Sequence, residues 1–356
     1  MTTTAPDRRT RRSLRSGVRR LAELTATPLV PSDYLDLLAP LRNGTDLRAR
    51  VVAVEPETAD ASTIVLRPGR GWQGHLPGQY VRIGVDIDGV RQWRAYSVTS
   101  VRGDLITVTV KAIPDGVVSN HLVRRVCPGT VVQLAQATGD FVLDGPSKIL
   151  FITGGSGITP VMGMLRAGGL DDVVLVHSAL TRDDVIFGAE LRELAAAGKL
   201  RLVELHTDTD GLLDVASLPS LVPDLAERET YLCGPGGLLD AVEESFAGMG
   251  LLERLHTERF RPSLAAVGEG GTVTYARTAT TVEVTGATTL LDAGEAAGVL
   301  MPSGCRMGIC FGCVIPLREG AVRDLRTGDI TTAAPGDGVL IQTCISAAAG
   351  ACDLDV

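Results

Sequence analysis

Short runs of alternating apolar and polar residues dominate the first part of the chain. Between Arg48 and about Asp144, β-type runs are separated by turn residues at regular spacing. This spacing predicts an antiparallel barrel or sandwich. The runs are Arg50–Val54, Ser62–Arg67, Gln79–Val85, Ile106–Ala112 and Val131–Leu134.

A different pattern begins at Lys148, where continuous apolar runs alternate with helical segments as far as Phe260. Buried strands that alternate with helices predict a parallel sheet built from βαβ units. The predicted strands are Ile149–Thr153, Val173–His177, Leu200–His206 and Thr230–Cys233. A Pro/Gly-rich linker then leads into a small α+β domain. The predicted divisions are a lead-in at 1–46, a barrel domain at 47–145, an α/β domain at 146–262, a linker at 263–271 and an α+β domain at 272–356.

Length and composition agree with a protein of several domains that stays inside the cell. The 356 residues are enough for two or three domains. No apolar stretch approaches the roughly 18 residues needed to cross a bilayer, and no apolar signal region follows the N-terminal arginines. Seven cysteines, four of them in one motif, favour a reducing compartment over a disulfide framework. We therefore expect a cytoplasmic protein.

The first twenty residues are strongly basic, with seven arginines against the single acidic residue Asp7, although the whole chain has a net charge of −8. Leu14, Val18, Leu21 and Leu24 recur there at helical spacing. A basic amphipathic helix of this kind binds an anionic membrane surface or an acidic partner. The alternative is a loosely packed basic tail. A nucleic-acid partner is not expected, because the rest of the protein is acidic.

Four cysteines near the C-terminus form the most specific motif of the chain. Cys305, Cys310 and Cys313 are spaced C-x4-C-x2-C, and Cys344 follows after thirty intervening residues. This is the plant-type [2Fe–2S] spacing. Structural zinc sites usually contain a second short cysteine pair, which is missing here. The motif therefore predicts an iron–sulfur cluster, with zinc or four buried thiols as the alternatives.

Two segments of the predicted barrel domain suggest a flavin site. Arg94, Tyr96 and Ser97 lie close together on one strand, and Gly116 to Ser119 form a turn that opens a helix. An arginine and a helix N-terminus both bind phosphate, and a tyrosine ring stacks on a flat heterocycle. Together these residues predict a flavin site with a pyrophosphate end.

Two glycine-rich turns end predicted strands of the α/β domain. One runs from Gly154 to Thr159, and the other is Cys233-Gly234-Pro235. Ligands of open parallel sheets bind at such carboxyl ends, where glycine lets the backbone approach a dinucleotide pyrophosphate. Such turns also occur for geometric reasons alone. From its chemistry, Cys233 is either a neighbour of the nicotinamide or a small core residue.

The order of these motifs resembles the ferredoxin–NADP reductase superfamily, in the form of modular flavin reductases with a C-terminal plant-type ferredoxin domain. The resemblance covers about residues 48–356. The domain order is similar to that of phthalate dioxygenase reductase. The flavin motifs and the lead-in are more similar to actinobacterial reductases that serve membrane-bound fatty-acyl desaturases. The resemblance implies a flavin-binding antiparallel β-barrel, a nicotinamide-binding α/β domain and a β-grasp ferredoxin domain.

The family's site residues are carried over where the motifs match. The catalytic residues implied are Tyr96, Ser97, Cys233 and Glu258. The FAD-binding residues implied are Arg94, Tyr96, Ser97, Gly116, Val117, Val118 and Ser119. The residues implied for the nicotinamide dinucleotide are Gly154, Gly155, Gly157, Thr159, Ser178, Arg182, Cys233, Gly234 and Pro235. The cluster ligands are Cys305, Cys310, Cys313 and Cys344.

The resemblance further implies an oxidoreductase that passes electrons from NADPH through FAD and [2Fe–2S] to an external acceptor. Arg182 favours NADPH because an arginine pairs with the 2′-phosphate, whereas the adjacent Asp183 and Asp184 leave NADH as the alternative. The Gly116–Ser119 turn favours FAD over FMN. The expected acceptor is a membrane-bound diiron desaturase or hydroxylase, with peripheral membrane attachment through residues 1–46. A Rieske oxygenase, a cytochrome P450 and a role as subunit of a larger flavoenzyme complex are the alternatives.

Overall fold

The computed structural model describes residues 39–42, 46–114, 116–143, 148–260, 267, 269–308 and 310–356. Most of the basic lead-in, including its predicted amphipathic helix, lies outside these described residues, as does most of the predicted linker. No helix in the described ranges is long and apolar enough to cross a membrane.

Six antiparallel strands form a closed barrel in the order β1-β2-β5-β4-β3-β6. The strands are β1 (Arg48–Pro56), β2 (Ala61–Pro68), β3 (Tyr80–Ile87), β4 (Val90–Arg102), β5 (Leu105–Lys111) and β6 (Val131–Leu134). Helix α1 (Val117–Arg124) follows β5 and packs its apolar side on the barrel core. The five predicted runs are strands whose ends differ by up to two residues. The long strand β4 was predicted only around Arg94–Ser97.

The second domain is a five-stranded parallel sheet in the order β11-β10-β7-β8-β9. Its strands are β7 (Ile149–Gly154), β8 (Val173–Ala179), β9 (Arg201–His206), β10 (Glu229–Cys233) and β11 (Leu255–Glu258). Its helices are α2 (Ile158–Ala167), α3 (Gly188–Ala196), α4 (Leu218–Leu221) and α5 (Gly236–Met249). The edge strand β11 was not predicted, because its four residues are all only half-buried.

The C-terminal domain is a six-stranded mixed sheet with one helix, α6 (Leu290–Ala296). Its strands are β12 (Gly271–Tyr275), β13 (Thr280–Val284), β14 (Val314–Asp324), β15 (Ile330–Ala333), β16 (Val339–Gln342) and β17 (Ser346–Leu354). Strands β12 and β17 pair in parallel, and the other pairs are antiparallel. Gly271, predicted as the last linker residue, already pairs with Val284 in this sheet. The four-cysteine segment forms the loop before β14 and the turn before β17.

The barrel and the parallel sheet are packed directly on each other. Helix α2 lies across β4 so closely that a Cβ at Gly163 would come within 3.0 Å of the Val98 carbonyl oxygen. Arg166 of α2 donates to the Thr99 carbonyl of β4 at 3.4 Å and pairs with Glu190 at 2.6 Å. This contact brings the β4 motif close to the carboxyl end of the sheet.

Candidate functional site

One cavity of about 730 Å³ is lined by all three domains. This volume is within the range of pockets that hold cofactors. From the barrel domain it is lined by Tyr80, Gln92, Arg94, Ala95, Tyr96, Ser97, Thr109, Lys111, Ile113, Pro114 and Gly116 to Ser119. The α/β domain contributes Ser156, Thr159, Glu258 and Phe260, and the C-terminal domain contributes Ala287, Thr289, Leu291, Asp292, Glu295, Cys305, Arg306, Met307 and Cys344.

The β4 motif forms one wall of this cavity. Arg94 is half-buried. Its pKa is lowered to about 10, mainly by burial and to a smaller extent by repulsion from Arg306. Burial raises the pKa of the Tyr96 hydroxyl, so that the ring stays neutral. The Ser97 hydroxyl is buried and has no hydrogen-bond partner within the described residues. A cation, a flat ring and an unpartnered donor on one wall fit a flavin.

Helix α1 begins at the second wall. Gly116 is its N-cap, with extended backbone angles and no side-chain cap. The first amide groups of the helix therefore remain available to an anion, because they lack intrahelical acceptors. The Ser119 hydroxyl is not available in the same way, because it donates to the Gly116 carbonyl at 3.1 Å. The pyrophosphate binding predicted at this turn therefore depends on backbone amides.

The two glycine-rich turns of the α/β domain contact each other. The first forms a short 3₁₀ turn, Gly155–Gly157, before α2. A Cβ at Gly157 would come within 3.0 Å of the Cys233 carbonyl oxygen, so only glycine allows this approach. Thr159 donates to the Ser156 carbonyl at 2.9 Å and lines the cavity. The packed turns form a small-residue surface at the carboxyl end of β7 and β10, where dinucleotides bind in open sheets.

Cys233 and Glu258 are neighbours across β10 and β11. Cys233 is fully buried, and burial raises the pKa of its thiol. Glu258 lines the cavity; burial raises the pKa of its carboxyl from 4.5 to about 8, and Oε2 has no partner within the described residues. Glu258 is therefore mostly protonated at neutral pH and is available as a hydrogen-bond donor.

Ser178 and Arg182 lie outside the cavity wall, near the carboxyl end of β8. Ser178 pairs in register with Gly154, and Arg182 opens the exposed 3₁₀ turn Arg182–Asp184. Among the described residues, the Arg182 side chain has no ion pair. Asp184 accepts a hydrogen bond from the Thr181 hydroxyl at 2.7 Å, which turns it toward its own loop.

The four cysteines of the C-terminal motif form two pairs. The thiols of Cys313 and Cys344 lie 3.2 Å apart. Cys305 and Cys310 form the other pair: a hydrogen bond from the Cys305 thiol, together with the amides of Cys305 and Gly312, lowers the pKa of Cys310 to about 5. No three His, Cys, Asp or Glu side chains in the described ranges converge on one ion. Two pairs of cysteine sulfurs fit a two-iron cluster, in which each iron takes two cysteine sulfurs.

The loop around these sulfurs requires unusual backbone conformations. Arg306 and Phe311 have φ angles of 59° and 54°, in the left-handed region. A Cβ at Gly304 would come within 3.0 Å of the Cys310 sulfur. Amide groups point at the sulfurs: Cys305 N–H and Met307 N–H donate to Cys310 and Cys305 at 3.1 and 3.3 Å. Such hydrogen bonds stabilise thiolates and tune a cluster's reduction potential.

The cavity collects about half of the sequence-predicted residues. It includes the β4 motif, the start of α1, Thr159, Glu258, Cys305 and Cys344. It does not include Gly154, Gly155, Gly157, Ser178, Arg182, Cys233, Gly234, Pro235, Cys310 or Cys313. Sequence reasoning missed Tyr80, Arg306, Asp292 and Glu295. Tyr80 pairs with Ser97 across β3 and β4, whereas the other three line the cavity only because the domains are docked.

Three features meet around one cavity: a barrel with a flavin site, a parallel sheet with turns that suit a dinucleotide, and two pairs of cysteine thiols. Together they define a modular electron-transfer flavoprotein. Three family models match consecutive parts of the chain: an oxidoreductase FAD-binding domain at residues 49–143, an oxidoreductase NAD-binding domain at 151–244 and a 2Fe-2S iron-sulfur cluster binding domain at 273–349. These matches confirm the predicted fold class and the presence of an FAD-binding, an NAD-binding and a [2Fe–2S]-binding domain.

The chain belongs to the ferredoxin reductase family of NAD(P)H-dependent oxidoreductases, with the domain order of phthalate dioxygenase reductase. It is 48% identical over 353 residues to an NADPH oxidoreductase of Mycobacterium tuberculosis, covering 95% of this chain and 92% of that protein. It is 30% identical over 306 residues to the glycine betaine monooxygenase reductase subunit of Pseudomonas aeruginosa, covering 75% and 84%.

Solved structures share this architecture. Phthalate dioxygenase reductase superposes with a TM-score of 0.60 at 23% identity, over 87% of this chain and 97% of that one, which shows a common fold. An intact type IV self-sufficient cytochrome P450 monooxygenase superposes with a TM-score of 0.56 at 26% identity, over 87% of this chain and 41% of that one.

Proposed function

We propose that this reductase takes electrons from NADPH and delivers them singly to a separate oxygen-activating enzyme. The observation that carries the proposal is the cavity shared by three domains, because flavin candidates on β4 and two cluster cysteines line the same space. When bound, the nicotinamide, FAD and the cluster supply hydride and single-electron transfer. The protein supplies position, exclusion of water and electrostatics.

Each wall of the cavity has a separate role in this proposal. Arg94 and the first amides of α1 hold the FAD pyrophosphate, and Tyr96 packs on the flavin ring. The Ser97 hydroxyl and the protonated Glu258 carboxyl are the free hydrogen-bonding groups next to the ring. The glycine-rich turns hold the nicotinamide dinucleotide, and the buried, neutral Cys233 packs beneath it.

NADPH is the proposed donor because Arg182 is exposed and available to a 2′-phosphate. Of the two acids that follow Arg182, Asp184 is held toward its own loop by Thr181, whereas Asp183 is exposed and is the remaining source of repulsion inferred from the sequence. The mycobacterial relative is named an NADPH oxidoreductase, which supports the same choice.

The proposed acceptor is an oxygenase-class enzyme, since two relatives are named as reductase components of monooxygenases. A membrane-bound diiron desaturase or hydroxylase remains our specific hypothesis. It rests on the basic residues 1–46 and on the resemblance noted in the sequence. A Rieske oxygenase and a cytochrome P450 are the alternatives to be compared with it.

An anaerobic titration with NADPH, and separately with NADH, tests the electron path. Bleaching of both flavin and iron–sulfur absorption at low NADPH is the expected result. Bleaching of flavin alone, in protein with full iron content, would contradict the proposal. Preference for NADH over NADPH would contradict the proposed role of Arg182 in binding the 2′-phosphate.

A coupled assay with each class of acceptor tests the partner. We expect deletion of residues 1–46 to weaken transfer to a membrane-bound desaturase while dye reduction is unchanged. Equal transfer by both forms would count against the membrane hypothesis.

A further inference from the structure

Arg306 is an unassigned cation on the cavity wall. It follows the cluster cysteine Cys305 and has a left-handed φ of 59°. Two of its nitrogens pair with acids of α6, Nη1 with Asp292 at 2.9 Å and Nη2 with Glu295. Its third nitrogen, Nε, is buried and has no partner within the described residues. A buried guanidinium N–H without an acceptor is costly, so this group points to a missing anion.

A second arginine from another domain lines the same cavity. Arg306 of the C-terminal domain lies close enough to Arg94 of β4 to disfavour the charge of Arg94. Asp292 and Glu295 offset part of this repulsion, and an anion between the two guanidinium groups would offset it further. The FAD pyrophosphate, assigned above to Arg94 and the start of α1, has two negative charges and is an anion of this kind.

We infer that Arg306 donates a hydrogen bond to the FAD pyrophosphate, so that FAD is held by two domains and stabilises the docking of the iron–sulfur domain on the flavin domain. The inference rests on the FAD placement proposed above. Asp292 and Glu295 then have two effects: they orient the Arg306 side chain, and they repel the pyrophosphate. FAD binding and domain docking are thereby coupled, because each favours the other.

Titration of FAD into flavin-stripped, full-length protein tests this inference, with flavin fluorescence as the readout and electron paramagnetic resonance as the measure of cluster content. Arg306→Gln is expected to raise the Kd for FAD roughly ten- to hundredfold, as for loss of a charge-assisted hydrogen bond. Asp292→Asn is expected to lower the Kd several-fold, because it removes a negative charge near the pyrophosphate while Glu295 still orients the Arg306 side chain.

Arg277→Gln is the matched control. Arg277 belongs to the same domain and forms a comparable pair with Asp355, at 3.1 Å, but is exposed and away from the cavity. Its Kd for FAD should equal that of the wild type. An equal Kd for Arg306→Gln and wild type, with the cluster retained, would overturn the inference.

Two further results separate the possible failures. If the Arg306→Gln protein loses its cluster, the Asp292→Asn protein tests the inference instead. A Kd for FAD equal to or higher than that of the wild type would then contradict the inference. If Arg94→Gln weakens FAD binding and Arg306→Gln does not, the inference fails and the proposed FAD site stands. If Arg94→Gln leaves the Kd unchanged, the FAD placement itself is wrong.

Discussion

The carboxyl of Glu258 provides the sharpest prediction, because its protonation should change within the working pH range. Burial raises its pKa from 4.5 to about 8. With this pKa, roughly 90% of the carboxyl is protonated at pH 7 and roughly 10% at pH 9. If the protonated carboxyl supports transfer from nicotinamide to flavin, the rate should fall about tenfold between these pH values.

The same shift has a consequence for stability. Between the unfolded pKa of 4.5 and the folded pKa of about 8, the native protein keeps a proton that the unfolded chain releases. Stability therefore decreases as pH rises through this window and is fully retained below it. The decrease is at most about 5 kcal/mol, since each pKa unit corresponds to about 1.4 kcal/mol.

Two assays on Glu258→Gln check these values. Anaerobic stopped-flow reduction by NADPH should give a rate that is nearly independent of pH from 7 to 9. Thermal unfolding of flavin-stripped, full-length protein should show the variant gaining stability over the wild type as pH rises from 5 to 9. Glu253→Gln, at an exposed glutamate five residues earlier, should behave as the wild type in both assays.

Equal pH dependence in wild type and Glu258→Gln would refute the reasoning. So would a wild-type transition near pH 4.5 in place of one near pH 8, because it would show a hydrated carboxyl.

Three other substitutions test separate parts of the molecule. Gly304→Ala should reduce iron content and visible absorption to less than half, because its Cβ would come within 3.0 Å of the Cys310 sulfur; iron analysis checks this. Arg182→Gln should raise the KM for NADPH about tenfold or more and leave the KM for NADH unchanged, and steady-state dye reduction measures both. Arg228→Met should destabilise the α/β domain by about 2 kcal/mol, because it removes the pairs of the buried guanidinium with Asp172 and Asp224 and its hydrogen bond to the Ile149 carbonyl; the midpoint of chemical unfolding measures this.

The linear motifs of the chain were sufficient for the fold class and for the cofactors. Strands and glycine-rich turns are local features, so their sequence patterns predicted the barrel, the parallel sheet and their approximate bounds. Cys305, Cys310 and Cys313 are likewise close in sequence, and their spacing together with Cys344 predicted the two-iron cluster domain that the family model confirms. The edge strand Leu255–Glu258 was missed because a short, half-buried segment has no clear apolar pattern.

The tertiary structure decided which of these motifs face one another. The sequence contains no sign that Arg306 and Arg94, 212 positions apart, share a cavity, or that Cys313 lies against Cys344. It also could not show that the Glu258 carboxyl loses water or that Asp184 turns toward Thr181. A sequence motif reflects the chemistry of one backbone segment. Burial, pairing and electrostatic coupling depend instead on atoms that only domain docking brings within a few ångströms of each other.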